Sequence, residues 1–209
     1  MRAARQQELR FRQHGGRRQG AGRPRGNRVS HAGRLQFDRV TPAHVTLRVR
    51  EHVWNLRSGR SFGRIEDCFA KARGRFGLRL IQFSVQGNHL HLIVEADGSA
   101  ALTRGMQGLA IRLARALNSM MGRKGRVFGD HYHARLLRSP TALVNAIRYV
   151  LGNAKHHFGA ETDRYASHAL ARGRRAQVLA EPRGWLLRDG IHRAPVRAGM
   201  SDPVGSLRA

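Results

Sequence analysis

Between about Val40 and His157 the apolar residues follow two periods, two residues and 3.6. Val45-Thr46-Leu47-Arg48-Val49 alternates apolar and polar side chains, which predicts a first strand. Ile65, Cys68, Phe69 and Ala72 recur at helical spacing and predict a helix over residues 62–76, closed by Gly74 and Gly77. Residues 79–85 predict a second strand. The apolar run that follows Gly87-Asn88 predicts a third, paired with the second as a hairpin. Leu102, Met106, Leu109, Leu113, Ala116, Leu117 and Met120 form one stripe of a long helix over residues 101–121, with Gly122 as its stop. Phe128, Tyr132 and Leu136 predict a fourth strand within residues 127–137. Ser139-Pro140 then supplies an N-cap and a first-turn proline. The helix it opens runs to about His156, with Leu143, Ile147, Val150, Leu151 and Ala154 as its apolar face.

The predicted order is strand, helix, strand, strand, helix, strand, then a further helix. That order predicts an α+β fold: a ferredoxin-like β-α-β-β-α-β sandwich with helices on one face of an antiparallel sheet. The further, C-terminal helix carries Tyr149. The folded domain is expected over residues 37–158. Residues 1–36 hold ten arginines and one acid, Glu8, with little periodicity. They predict a disordered basic arm that meets phosphates without sequence preference. Residues 159–209 predict a basic C-terminal tail, partly ordered, with Trp185-Leu186-Leu187 as its compact apolar cluster.

Charge narrows the function. The 209 residues carry 39 Lys and Arg against 13 Asp and Glu, a net charge of +26. A chain this basic attracts polyanions, of which nucleic acid is the commonest. A single cysteine, Cys68, excludes an intramolecular disulfide framework and a multi-cysteine zinc site. No apolar run approaches the length of a membrane span and no signal-peptide core precedes the domain, so a cytoplasmic protein is expected.

Two histidines interrupt the third strand at i and i+2. His89 and His91 therefore point to one face of the sheet, about 6–7 Å apart at their Cα atoms, and Leu90 points to the other. Two neutral imidazoles converging in this way can hold one divalent metal ion. On the last helix, Tyr149 and Asn153 stand four residues apart and share a face. If that face meets the histidine strand, Asn153 becomes a third, oxygen-donating ligand and Tyr149 a nucleophile. A free phenol, with a pKa near 10, is a poor nucleophile. It can attack a phosphodiester when a metal stabilises the charge that grows on the phosphate. Tyr132 is a weaker candidate, because it has no polar partner one helical turn away.

Gly87-Asn88-His89-Leu90-His91-Leu92-Ile93 resembles the histidine-hydrophobic-histidine (HUH) motif of single-tyrosine transposases. Ala146-Ile147-Arg148-Tyr149-Val150-Leu151-Gly152-Asn153-Ala154 resembles the tyrosine helix of the same IS200-like family, and REP-associated tyrosine transposases are the nearest subgroup. The resemblance spans about Thr41 to His157. It implies metal-dependent cleavage and rejoining of single-stranded DNA, or of hairpin DNA, through a 5′-phosphotyrosine link. It also implies that the divalent metal is Mg²⁺ or Mn²⁺. Two departures stand out. Ala154 follows Asn153 where many members have proline, and Gly152 sits inside the helix, a cost of up to about 1 kcal/mol against alanine.

Arg112, Arg115, Arg123, Lys124, Arg126, His131, His133 and Arg135 are the candidate DNA contacts outside this constellation. Glu95 and Asp97 follow the histidines and read as exposed turn residues. A non-catalytic binder of single-stranded or hairpin nucleic acid, derived from a transposase, is the alternative function; a hydrolase using a metal-bound water is a third. Homodimer and monomer are both compatible with the family.

Overall fold

The computed structural model describes residues 35–158 and 163–193, and the side chains of all of these except 153–158. The predicted basic arm thus lies almost wholly outside the described residues. Four strands form one sheet: β1 (Thr41–Arg48), β2 (Leu78–Val85), β3 (His89–Ala96) and β4 (His133–Leu136). Their order is β2-β3-β1-β4, and every pairing is antiparallel. With α1 (Gly59–Ala72) and α2 (Ser99–Met120) as crossovers, this is the predicted ferredoxin-like layout.

Local chemistry sets the helix ends. Ser58 caps α1 by accepting a hydrogen bond from the Ser61 amide at 3.2 Å. Gly122, at φ +63°, ends α2, as expected of a residue that must turn left-handed. Ser139 caps α3 (Pro140–Phe158): its hydroxyl accepts from Ala142 N at 3.2 Å and its carbonyl from Leu143 N at 3.0 Å. The fourth strand is shorter than predicted. Its early part is a single bridge, Val49 to Phe128, after which a bend at Gly129 and Asp130 interrupts the ladder.

The two faces of the sheet are used differently. On one, Val45, Leu47, Leu90, Leu92 and Val94 pack against Ile65 and Phe69 of α1 and Met106, Leu109 and Leu113 of α2. Fully burying each such side chain contributes roughly 1.5–3 kcal/mol. On the other face lies α3, whose Leu143, Val144, Ile147 and Val150 meet Ile81, Ile93 and Leu137. A β-bulge between Leu80 and Gln82 makes this possible on β2. The extra residue lets Ile81 reach the α3 cluster while Leu80 and Phe83 stay in the core under α1 and α2.

The tail completes the domain. In the strand order β2 is an edge, yet all eight of its residues are buried. Residues 163–180 cover it: Val85 N donates to Tyr165 O at 2.9 Å, Phe83 N to Ser167 Oγ at 3.1 Å, and Ala180 N to Leu80 O at 2.8 Å. An open strand edge invites pairing with other chains, and here the chain's own tail closes it. Beyond α4 (Arg172–Val178) come α5 (Trp185–Arg188) and a 3-10 turn at Gly190–Arg193. Leu187 and Ile191 bury themselves against the α3 cluster, while Trp185 stays about half exposed.

Asp97 is the exposed turn residue expected, whereas Glu95 is not. Glu95 is fully buried; its carboxylate accepts from Arg79 Nε at 2.7 Å and from the Arg183 and Gly184 amides at 2.8 Å each. Asp97 accepts from the other arm of Arg79, and that hydrogen bond pulls its carboxyl below the ordinary carboxylate range. A Cβ at residue 184 would stand 2.7 Å from Glu95 Oε1, so the tail can come this close only as glycine. Removing Glu95 leaves a buried guanidinium with one partner instead of two and two amides without an acceptor. Glu95→Ala is therefore expected to lose about 3 kcal/mol in denaturant unfolding. A loss under about 1 kcal/mol would show that the tail is held by its apolar contacts alone.

Candidate active site

Strand pairing decides which side chains share the α3 face. In the β1–β3 register Thr46 lies opposite His91 and Arg48 opposite His89; on the other side of β1, Thr46 faces His133 and His44 faces Arg135. Paired residues point the same way. The histidine pair therefore sits on the α3 side of the sheet, with His44, Thr46 and Arg48 of β1 beside it. His133 and Arg135 of β4 stand exposed at the rim.

The two strand histidines converge. His89 Nε2 and His91 Nε2 are 3.0 Å apart, with rings near perpendicular at 88°. His89 Nδ1 donates to Asn88 Oδ1 at 2.8 Å. That bond puts the His89 proton on Nδ1 and turns the unprotonated Nε2 toward His91. His91, only 5 % exposed, has its Nδ1 held from β1: His44 Nε2 lies at 3.2 Å and Thr46 Oγ1 at 3.3 Å. Burial lowers the pKa of His44, and the charges of His133 and Arg135 lower it further.

Tyr149 joins this group from α3. Its ring lies 5.2 Å from that of His91 and 5.7 Å from that of His44, edge-on to both. About half of its surface is exposed. Asn153 follows one helical turn later on α3, with its side chain outside those described. The other tyrosines are committed elsewhere. Tyr165 packs on Arg57 and Phe62, and Tyr132 packs against the core under α1 and α2.

The donor set fits a divalent ion. At an imidazole–metal bond of about 2.1 Å, nitrogens 3.0 Å apart subtend roughly a right angle, the cis angle of an octahedral ion. Each ring also has its second nitrogen engaged, an arrangement that orients imidazole ligands toward a metal. Among the described residues no group of three or more His, Cys, Asp or Glu side chains could hold a metal ion.

The candidate DNA contacts divide into three places. Arg112 and Arg115 lie on the far side of the sheet, in an open groove of about 400 Å³ that they line with Arg64 and Lys71 of α1. Arg123, Lys124 and Arg126 follow α2 at the end of the sheet near the Gly87-Asn88 turn. There Arg50 N donates to Val127 O, Val49 N to Asn88 O, and His52 Nε2 to Arg126 O. Arg48, Arg50, His52 and Asn88 line a cleft of about 420 Å³ at this end, beside the exposed His131's neighbour Asp130. His133 and Arg135 alone of the eight share the histidine face. His44, Thr46 and Arg48 are site residues the sequence reading passed over. Their only signal was the alternation of β1, which makes them a polar face without saying what it meets.

No helix among the described residues is long and apolar enough to cross a membrane. No curated protein matches the chain. Among solved structures, a REP-associated tyrosine transposase bound to a REP hairpin superposes with a TM-score of 0.58 at 14% identity, over 73% of this chain and 92% of that one. That likeness establishes the fold. A Deinococcus radiodurans R1 protein provisionally described as a transposase aligns over 51% of this chain and 86% of its own, at 15% identity and a TM-score of 0.41, too slight to bear on the fold. The model of the IS200-like transposase family matches residues 42–150, from the start of β1 to the turn of α3 that bears Tyr149. That match covers more than half of the 209 residues, and with it the chain belongs to the IS200-like transposase family.

Proposed function

We propose that this member of the family cleaves and rejoins single-stranded DNA, presented by a hairpin, with Tyr149 as nucleophile and His89, His91 and Asn153 as ligands of one Mg²⁺ or Mn²⁺ ion. The observation that carries the proposal is the position of the Tyr149 ring, 5.2 Å from His91, over a pair of imidazoles converging at 3.0 Å. A divalent ion held there would supply positive charge to the non-bridging oxygens of the scissile phosphate. The phenol oxygen attacks phosphorus, its proton passes to solvent, and the P–O3′ bond breaks. The 3′ oxygen leaves as a hydroxyl after taking up a proton. The 5′ phosphate remains on Tyr149, so the phosphodiester is conserved and the reverse attack by a 3′-hydroxyl rejoins a strand.

Around this centre Arg48 and Arg135 supply positive charge, and His133 a hydrogen-bonding ring, on the same side of the sheet, suited to the flanking phosphates. The solved relative with this fold holds a REP hairpin, which makes hairpin DNA the first substrate to try. The test is incubation of the chain with hairpin DNA from the flanks of its own gene and Mg²⁺ or Mn²⁺. A covalent protein–DNA adduct on a denaturing gel is expected. No adduct with any hairpin would turn the assignment toward non-catalytic binding.

Residues 1–36, on this proposal, add sequence-independent affinity. Single-strand binding loses about 0.7 of a log unit per log unit of salt for each phosphate neutralised. Deleting this arm is expected to flatten the salt dependence measured by fluorescence anisotropy and to leave adduct formation in place. An unchanged slope would remove the arm from DNA binding.

A further inference from the structure

We infer that His44 and Thr46 of β1 are positioning residues that set the tautomer and orientation of His91 for the metal, an inference that rests on the proposed ion between His89 and His91. The geometry is specific. Both β1 side chains bring a polar atom to the same nitrogen, His91 Nδ1, at 3.2 and 3.3 Å, while His91 Nε2 faces His89. Register makes this inevitable. Thr46 is the direct cross-strand partner of His91, and His44 lies two residues along on the same face.

The chemistry calls for partners of this kind. Without an ion, two imidazole nitrogens at 3.0 Å need one proton between them. His89 already carries its proton on Nδ1, where it donates to Asn88, so the shared proton belongs to His91 Nε2. His91 Nδ1 is then an acceptor. When an ion takes the Nε2 lone pair, the His91 proton has to sit on Nδ1, which becomes a donor. A partner at Nδ1 must therefore donate in one state and accept in the other. A hydroxyl and a neutral imidazole can each do both. A lysine could only donate and a carboxylate only accept, and each would favour one state. His44 and Thr46 together let His91 change tautomer without leaving a buried polar atom unmatched.

The experiment measures Mn²⁺ affinity of the full chain without DNA, by electron paramagnetic resonance or calorimetry, beside melting temperature. His89→Ala is the benchmark for a lost ligand. Thr46→Val keeps the shape and removes the hydroxyl. His44→Phe removes the ring nitrogens, and His44→Gln restores a group that can both donate and accept. The double variant His44→Phe with Thr46→Val is expected to bind Mn²⁺ about 10–100-fold more weakly, the usual cost of losing a ligand's hydrogen-bond partner. His44→Gln is expected to stay within a few-fold of wild type. Should the double variant not fold, Thr46→Val alone, close to isosteric, is expected to show a several-fold loss at an unchanged melting temperature. Undiminished affinity in the double variant, or in Thr46→Val if only that folds, while His89→Ala binds nothing, would overturn this inference and leave the proposed site standing. Loss in His44→Phe as complete as in His89→Ala, without rescue by His44→Gln, would make His44 a ligand and also overturn it. A wild-type chain that binds no Mn²⁺ would remove both.

Discussion

Tyr149→Phe is expected to eliminate the covalent adduct with hairpin DNA, a fall of about 10³-fold or more, while melting temperature, Mn²⁺ affinity and hairpin binding stay near wild type. The substitution removes one oxygen from a side chain that is already 49% exposed, so little packing changes. A purely structural hydroxyl would cost only about 0.5–1.5 kcal/mol, the net worth of one hydrogen bond, and would spare cleavage. Tyr132→Phe and Tyr165→Phe are the controls. Tyr165 is built into the fold between Arg57 and Phe62, and Tyr132 belongs to the core under α1 and α2. Both variants should keep the adduct. An adduct persisting in Tyr149→Phe, or mapped by peptide mass spectrometry to another tyrosine, would end the assignment.

The second large effect is expected at the histidine pair. His89→Ala and His91→Ala should each abolish metal-dependent cleavage and retain most hairpin affinity, because in the proposed function binding draws on the basic surface and cleavage on the imidazoles. The two should differ in stability. His89 is half-buried, whereas His91 is 5 % exposed and tied to β1, so His91→Ala leaves a cavity and unmatched partners. His91→Gln is the milder companion for separating chemistry from folding. Normal cleavage in a well-folded variant of either histidine would dismiss the metal assignment. Loss of folding in His89→Ala would favour a structural histidine.

Much of the fold was legible because its elements are amphipathic and local signals bound them. The Ser139-Pro140 start and the Gly122 stop appear in the structure as a cap and a left-handed turn. His89 and His91 were legible because polar rings inside an apolar strand are conspicuous. His44 was not. It sits in β1, where polar side chains alternate as they would on any half-exposed strand, and only the pairing of Thr46 with His91 puts this face beside the histidine pair. Glu95 misled for a related reason. A carboxylate near a strand end looks exposed until a guanidinium from β2 and two amides some 88 and 89 residues away are brought to it. The fourth strand was drawn too long because Phe128 and Tyr132 continue its apolar pattern, while the bend at Gly129 and Asp130 breaks its pairing.

The tail that covers β2 also bears on how the chain reaches its native state. Arg57 and Asp163 form a two-pronged ion pair across 106 residues, and Phe83 donates to Ser167 across 84. These closures join the two ends of the domain, and each must wait until the ends meet. Loop entropy is then spent before the contacts return it, which slows folding in chains rich in distant pairings. The hairpin of β2 and β3 can form from neighbours in sequence. Its outer edge stays unsatisfied until the last segment arrives. A nascent chain of this protein thus carries an unprotected strand for as long as its last quarter is missing, and that interval is when it is most open to mispairing with another copy.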